Sequence, residues 1–309
     1  MEIINVRLPP KVLADVDSLA EKHSLTRSEV IRQSLTIYLH LIENMGSLLR
    51  PIAFQVKPSQ INYARRGDVS ILKIPTGHAI VAGSTSSGAV GPKELDKVKV
   101  NGQVLGKFLA RVALMDVITT GAFPLLLSLT LGVEKQVTGA TIAEGVSREA
   151  RSIGLDPQQV LLENTEDNFQ TVQTGAGLTV VGLANENELR LGKTLPGDLI
   201  VAVGRPKVGE EVIAAEARGE IADLRNVAQL CQCRYIHDIS AVGGFGIASE
   251  AKMMAYGVGR QLKLWEKQVL DLNKSAGPAT VVLVTMDRER LEDLTSLISK
   301  PINVIGEIL

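Results

Sequence analysis

The chain has 309 residues, of which 45% are hydrophobic, and its formal net charge is −1 at pH 7. This length allows two domains with a substantial core, and the near-neutral charge gives no general attraction to nucleic acid or to anionic membranes. No apolar run reaches the roughly 18 residues of a membrane-spanning helix. The N-terminus also lacks a basic region followed by an apolar stretch. We therefore expect a cytoplasmic protein without membrane association.

Residues 1–46 are predicted to form one strand and two helices. Ile3–Leu8 alternates between two faces, prolines follow it, and Thr26 with Glu29 forms a capping box for the second helix. One strand and two helices cannot bury these apolar residues alone, so we expect two copies to pair. The pattern INVRLPPKVLADVD…LTRSEVIRQSL resembles the ribbon-helix-helix family of dimeric repressors. The resemblance implies a module that forms a homodimer.

In that family, outward-facing strand residues enter the DNA major groove, and here they would be Ile3, Asn5 and Arg7. Residues 1–45 hold five basic and six acidic side chains. Neutralisation of DNA phosphates supplies most of the affinity in such complexes, and this module offers little of it. We therefore favour dimerisation over DNA binding and keep DNA as an alternative partner.

An acidic residue interrupts the apolar stretch ALMDVITTGAFPLLLSLTLG, residues 113–132. Helical spacing predicts a helix through residues 104–115, with Asp116 near its end. A turn at Thr120–Gly121 follows, and Pro124 begins a predicted buried strand. A buried carboxylate without compensation costs several kcal/mol, on the order of the penalties known for buried polar groups. An ion pair, a capping bond or a divalent cation would each remove that penalty.

This stretch resembles the signature of the aminoimidazole-ribonucleotide-synthetase-like ATP-binding superfamily. The group includes selenophosphate synthetase, thiamine-monophosphate kinase and the nitrile-forming hydrogenase-maturation protein. The resemblance implies that Asp116 helps hold magnesium on the phosphates of ATP. It also implies that Gly121 and Ala122 let the backbone approach the nucleotide.

Three further stretches match the superfamily in order. RYIHDISAVGGFGIASEAKMMA resembles its second-domain motif, which implies a phosphate or metal role for Asp238 and a phosphate-facing turn at Gly243 and Gly244. PGDLIVAVG resembles the strand that opens the second domain, and residues 277–309 resemble its closing strand-helix-strand. The implied fold class is α/β (α+β), with lobes at residues 51–185 and 186–309 and ATP in a cleft at a dimer interface.

Departures from other members narrow the expected chemistry to phosphoryl transfer. The chain has no cysteine before Cys231 and no cysteine-bearing tail, as the selenium and nitrile chemistries would need. GAVGPKELDKVKV, NTEDNFQTVQTGAGLTVVG and GRPKVGEEV resemble the alpha-ribazole kinase branch. The resemblance implies phosphorylation of alpha-ribazole, a nucleoside salvaged for the lower ligand of cobalamin.

The segment NTEDN stands where other members carry a glycine-rich motif. The resemblance implies a metal or substrate role for Thr165, Glu166, Asp167 and Asn168. Of these, Asp167 is the preferred magnesium ligand, in addition to Asp116 and Asp238. A solvated acidic loop explains the same residues equally well. Asp167 and Asp238 are also the candidates for a catalytic base.

Two other segments, around Lys93 and at Ser84 to Ser87, each allow more than one interpretation. Lys93 is predicted to lie against phosphate and Asp96 against metal or substrate, although a surface charge run, KELDK, explains both residues as well. Relatives commonly carry a metal-binding aspartate just after the strand AIVAG, where this chain has Ser84 to Ser87, and hydroxyl groups are weak magnesium ligands.

The preferred function is therefore ATP- and magnesium-dependent phosphorylation of a small nucleoside. One alternative is a nucleotide-sensing ribbon-helix-helix transcriptional regulator without turnover. The other is a kinase of another acceptor, such as thiamine phosphate.

Overall fold

The computed structural model describes residues 6–45 and 60–309, and the side chains of residues 40–45 fall outside this description. The chain divides into two compact units, Met1–Gln60 and Ile61–Leu309. Within the described ranges, no helix combines the length and the apolar character needed to cross a bilayer.

In its described part, the first unit contains two helices, α1 (Pro10–His23) and α2 (Arg27–Met45). The predicted capping box is present at the start of α2. The Thr26 backbone N–H donates to the Glu29 carboxylate at 2.8 Å, and the Glu29 N–H donates to the Thr26 hydroxyl at 3.3 Å. Both predicted helices are thus confirmed.

The predicted strand of the first unit is not visible as a strand. Residues 3–5 lie outside the described part, and Val6 to Leu8 adopt no regular structure. A ribbon strand needs a partner strand for its N–H and C=O groups. The helices also leave large apolar side chains exposed, with Leu19 46% and Leu35 54% accessible. The ribbon-helix-helix assignment stays a prediction.

The elements of the first lobe of the second unit are, in chain order, β1 (Asn62–Arg66), β2 (Val69–Ile74), β3 (His78–Gly88), β4 (Val90–Gly91), β5 (Val98–Lys99), α3 (Gly102–Ile118), β6 (Phe123–Leu131), α4 (Ala140–Arg151), α5 (Pro157–Val160), β7 (Leu161–Thr165) and β8 (Gly175–Asn185). In residues 60–309, six strands form a sheet in the order β1-β2-β3-β8-β6-β7. The β6–β7 pair is parallel and the other pairs in this sheet are antiparallel. Helix α3 packs on β3 and β8, and α4 packs on α3.

Helices α3 and α4 are in direct backbone contact because each helix has a glycine where the backbone of the other comes close. A Cβ on Gly106 would lie 2.0 Å from the Ile142 carbonyl oxygen, and one on Gly145 would lie 2.1 Å from the Gln103 oxygen. No side chain fits in either place. This close contact fixes the position of α3 over the sheet.

Strand β6 differs from the fully buried strand that the sequence predicts. Leu127 and Leu129 are inaccessible, whereas Leu126 is 40% exposed. Leu127 and Leu129 belong to the core beneath α3, and alternate residues point to the other face of the sheet. That outer face is not covered by any described part of this unit, and Leu162 and Leu183 are also exposed on it.

The elements of the second lobe are, in chain order, β9 (Leu199–Gly204), α6 (Glu211–Ala217), α7 (Leu224–Gln232), β10 (Ile236–Ala241), α8 (Gly246–Tyr256), β11 (Leu262–Leu264), β12 (Val281–Met286), α9 (Leu291–Leu297) and β13 (Ile302–Ile308). Five strands of residues 60–309 form an antiparallel sheet in the order β10-β12-β9-β13-β11. The strands predicted at residues 196–204 and at the C-terminus are confirmed, as is the strand-helix order around Asp238.

The central strand β9 is buried on both faces. Val201 and Val203 join a core that also contains the inner residues of α3 and the first sheet. Ile200 and Ala202 face the opposite way and pack with residues of α8, such as Ile247. One hydrophobic core therefore runs through both lobes of the second unit.

Candidate functional site

A cleft of about 980 Å³ lies between the two lobes of the second unit. Its walls come from α3, the end of β3, the segment that leads into α6, and the turn between β10 and α8. One wall is apolar and includes Val104, Phe108 and Val112 of α3 and Val212 of α6. A volume of this size is within the range of small-molecule binding sites.

Carboxylates lie at one end of this cleft. Asp116 is in the last turn of α3, Asp68 is in the β1–β2 turn, and Glu250 is on α8; all three line the cleft. Burial, together with the smaller effect of the negative charges of Asp68 and Glu250, raises the pKa of Asp116 to about 7. This end of the cleft therefore favours a cation or a proton.

The chain makes room for Asp116 at Gly83 of β3. A Cβ on Gly83 would lie 3.1 Å from the Asp116 Cβ and 3.3 Å from a Val117 methyl group. The helix begins at an Asn101 cap, whose side chain accepts the Val104 N–H at 2.8 Å. The Asn101 cap fixes where α3 begins, and Gly83 allows the end of α3 to lie close to β3. Asp116 therefore lies at the boundary between the lobes.

Glu250 is buried on α8, and the Ser240 hydroxyl donates a hydrogen bond to its carboxylate. Burial raises the pKa of Glu250, and this hydrogen bond partly opposes the rise. Glu250 is therefore a second carboxylate in the cleft, and burial disfavours its charged form.

The turn before α8 presents backbone to the cleft. Gly243 and Gly244 line it, and a Cβ on either would meet no atom within 4 Å. The residue before α8, Phe245, provides no side-chain cap, and its own ring is 87% exposed at the cleft. In the first turn of α8, the Gly246 N–H donates to the Gly243 carbonyl at 3.4 Å and the Ala248 N–H to the Leu272 carbonyl at 2.9 Å. The predicted glycine turn is therefore open space beside the start of α8.

Asp238 lies apart from the cleft lining. Its carboxylate is inaccessible, with Oδ1 2.7 Å from Arg66 Nη1 and Oδ2 accepting the Gly192 N–H at 3.0 Å. Burial raises the pKa of Asp238, and Arg66 partly opposes that rise. Protein partners thus satisfy this carboxylate, which lines a second cavity instead.

Three other predicted nucleotide contacts have protein partners. Lys93 forms an ion pair with Glu134 at 2.5 Å and donates to the Thr171 carbonyl at 2.8 Å. Gly121, with φ +89°, approaches backbone of the same unit, since a Cβ there would lie 2.7 Å from the Glu188 oxygen. Ala122 is buried. None of Lys93, Gly121 and Ala122 lines the cleft.

The predicted acidic loop lies at the end of β7, the edge strand of the first sheet. Thr165 is the last residue of β7, and Asp167 and Asn168 are exposed. Both the backbone N–H and the side-chain amide of Asn168 donate to the Glu166 carboxylate. Thr165, Asp167 and Asn168 line neither cavity. Their nucleotide and metal roles stay predictions.

The three predicted metal ligands do not form one cluster. Asp116 lines the cleft, Asp238 faces the second cavity and Asp167 is in the exposed loop. Within residues 6–45 and 60–309, no group of three or more His, Cys, Asp or Glu side chains is arranged to hold a metal ion. The structure associates Asp116 instead with Asp68 and Glu250.

Asp68, Glu250 and Arg66 were not selected from the sequence. Glu250 repeats the signal that identified Asp116, an acid among apolar and small residues of a helix. Asp68 follows Gly67, and this pair reads as an ordinary hairpin turn with φ +53° at the glycine. Its proximity to Asp116 arises only when the hairpin packs beside α3.

Known structures share the fold of the second unit. E. coli HypE, a hydrogenase maturation protein, is 16% identical with a TM-score of 0.56, over 74% of this chain and 79% of that chain. Thiamine-monophosphate kinase from Stenotrophomonas maltophilia is 15% identical with a TM-score of 0.52, over 84% and 92%. A structure of AaThiL complexed with AMPPCP and TMP is 13% identical with a TM-score of 0.53, over 87% and 89%.

These similarities show a shared fold, which is the one that the sequence resemblance implies. No protein-family model matches the chain, and no curated protein matches it.

Proposed function

We propose that the chain is an ATP- and Mg²⁺-dependent kinase that phosphorylates a hydroxyl group of a small acceptor. The observation that carries this proposal is the position of Asp116, Asp68 and Glu250 at one end of a large, partly apolar cleft. The AaThiL structure, which has the same fold, was determined with AMPPCP, a nucleotide analogue.

The acidic end has the right donor chemistry for Mg²⁺. This ion prefers oxygen ligands, keeps several waters, and is usually held by one or two carboxylates together with substrate phosphates. A preformed cluster of three protein ligands is therefore unnecessary. Asp116 would hold the ion, with Asp68 or Glu250 as the second carboxylate. When bound, Mg²⁺ supplies charge neutralisation to the phosphates.

The other walls of the cleft complete the nucleotide site. The apolar side chains of α3 and α6 take the base, and the Gly243–Gly244 turn lets phosphate oxygens reach backbone N–H groups. Ser86 and Ser87 line the same cleft and donate hydroxyl hydrogen bonds to phosphate. These hydroxyls make the serine-rich end of β3 a phosphate contact rather than a metal ligand.

The reaction depends mainly on positioning and charge neutralisation. The acceptor oxygen forms a bond to the γ-phosphorus while the bond to the β–γ bridging oxygen breaks, and ADP leaves. The hydroxyl proton passes to a carboxylate at the acidic end. Because Asp116 is assigned to the ion, the proton acceptor is whichever of Asp68 and Glu250 is not the second carboxylate, whereas Asp238 is engaged by Arg66.

We propose alpha-ribazole as the acceptor, on the resemblance of residues 88–100, 164–182 and 204–212 to alpha-ribazole kinases. Thiamine phosphate is the second candidate. We further propose that the active form is a homodimer, because apolar side chains are exposed on α1, on α2 and on the outer face of the first sheet.

The test is ADP formation by the full chain with Mg-ATP and each candidate acceptor, with the phosphorylated product identified by mass spectrometry. We expect ADP in the presence of alpha-ribazole, and loss of both turnover and Mg-ATP binding in Asp116→Asn. Glu266→Gln removes an exposed carboxylate outside the cleft and should behave as wild type. Tight nucleotide binding without turnover of any acceptor would favour a sensor over a kinase.

A further inference from the structure

A second cavity, of about 730 Å³, lies behind the lobe cleft in the same unit. It is formed by β1 and β2, residues 186–193 and the C-terminal half of α8. The two cavities share the lining residues Arg66, Gly67, Leu191, Ser249 and Met253, which separate one from the other. None of the nucleotide-binding roles proposed above uses this second cavity.

The second cavity is basic. Its charged lining residues are five cations and two carboxylates, namely Arg65, Arg66, Lys73, Lys193, Lys252, Glu186 and Asp238. Both carboxylates already have partners, since Lys73 pairs with Glu186 at 3.0 Å and Arg66 with Asp238 at 2.7 Å. Among the described residues, Arg65, Lys193 and Lys252 form no ion pair. The cavity therefore has an excess of positive charge.

The guanidinium of Arg66 provides an independent sign of an absent anion. Nη1 is bonded to Asp238, but Nε and Nη2 are buried without any hydrogen-bond partner in the described part of the chain. A buried donor left unpaired is costly, on the order of 1–3 kcal/mol. Arginine presents these donors as a planar fork that matches the oxygens of a phosphate. Arg66 lines both cavities, so these unpaired donors belong to the wall that the basic cavity shares with the lobe cleft.

We propose that this second cavity is a binding site for the phosphate group of a small phosphate ester. Lys193 and Lys252 neutralise the phosphate, and the free Arg66 donors hydrogen-bond its oxygens. The volume falls in the range of small-molecule sites, so a sugar-sized group is accommodated with the phosphate. The proposed site shares one wall with the lobe cleft but none of the nucleotide-binding roles assigned there, so the proposal holds whether or not the chain is a kinase.

The experiment is calorimetric titration of the full chain with inorganic phosphate, ribose 5-phosphate and uncharged ribose at constant ionic strength. We compare the wild type with Lys193→Gln/Lys252→Gln and with Lys135→Gln/Lys267→Gln, which removes two exposed lysines that line neither cavity. Both phosphates should bind the wild type, and ribose should not. The Lys193/Lys252 variant should bind them about tenfold more weakly, as expected for lost charge-assisted contacts.

Asp116→Asn separates this site from the cleft, because its substitution lies outside the second cavity. It should bind phosphate with wild-type affinity even if it no longer binds Mg-ATP. Equal weakening by the two lysine pairs, or wild-type binding by the Lys193/Lys252 variant, would overturn the proposal. Absence of phosphate binding by the wild type would do the same.

Discussion

Arg66 at the end of the first hairpin lies 2.7 Å from Asp238, an inaccessible carboxylate on the second sheet. This pair joins the two lobes, and its charges are mostly removed from water. Removing one partner of a buried pair leaves the other charge without compensation. The contact is therefore a place where a single substitution should have a large effect.

We predict that Arg66→Leu lowers the free energy of unfolding by about 3–5 kcal/mol, because Asp238 is left buried and unpaired. Urea denaturation followed by circular dichroism measures this change. Arg66→Leu/Asp238→Leu removes both charges and should regain a large part of the loss. If the double variant is as unstable as Arg66→Leu, the uncompensated charge is not the cause.

Asp116 should make the stability of the ligand-free chain depend on pH. Its pKa is about 7 in the folded chain and has its ordinary value, 3.8, in the unfolded chain. Between about pH 4 and 7 the folded chain holds a proton that the unfolded chain has released, so the unfolding free energy falls as pH rises. The loss above pH 7 is on the order of a few kcal/mol.

Asp116→Asn lacks this titration and should therefore gain stability relative to wild type as pH rises from 4.5 to 7.5. Urea midpoints measured across this range, without metal or nucleotide, give the difference. Glu266→Gln is the matched control and should follow the wild type. A wild-type-to-Asp116→Asn difference that stays constant with pH would contradict the assignment.

Gly106→Ala should destabilise the first lobe, because its Cβ would lie 2.0 Å from the Ile142 carbonyl oxygen and the backbone of α4 cannot yield. We expect a loss of about 3 kcal/mol or more, at the high end for overpacking. Thermal unfolding is a sufficient measurement. Gly88→Ala meets no atom within 4 Å and should stay within about 1 kcal/mol of wild type. Similar losses in the two variants would argue against close helix contact.

The exposed outer face of the first sheet predicts a self-association surface. Leu126→Glu/Leu162→Glu places charges on that face without changing the core, so the fold should persist and the proposed dimer should weaken at least tenfold, or about 1.4 kcal/mol. Sedimentation equilibrium measures the dissociation constant, and circular dichroism checks the fold. An unchanged dissociation constant would show that this face is not the interface.

Local features of the chain were predictable from the sequence. The capping box at Thr26 and the helix that carries Asp116 near its end depend on neighbours a few residues apart, and both are present. The turn at Gly121 also depends on local backbone preferences. The strand-helix order of the second lobe was predicted from the resemblance of residues 196–204, 234–255 and 277–309 to the superfamily.

The composition of the site was harder to predict because it depends on contacts between distant segments. Asp68 and Glu250 are separated by most of the second unit, and nothing local relates them to Asp116. Lys93 has the residue type of a phosphate ligand, yet Glu134, some 40 residues later, pairs with it. Tertiary packing decides which charged residues have protein partners and which remain free for a ligand.

The shared interior of the two lobes has a consequence for how ligands are recognised. Val201 and Val203 of β9 belong to the same core as the inner residues of α3. A motion that moved the two sheets apart would expose that core to water. Its free-energy cost would increase with the apolar area exposed. The cleft is therefore preorganised, and ligands should enter and leave through its mouth while the lobes stay together, with little reorganisation to oppose binding.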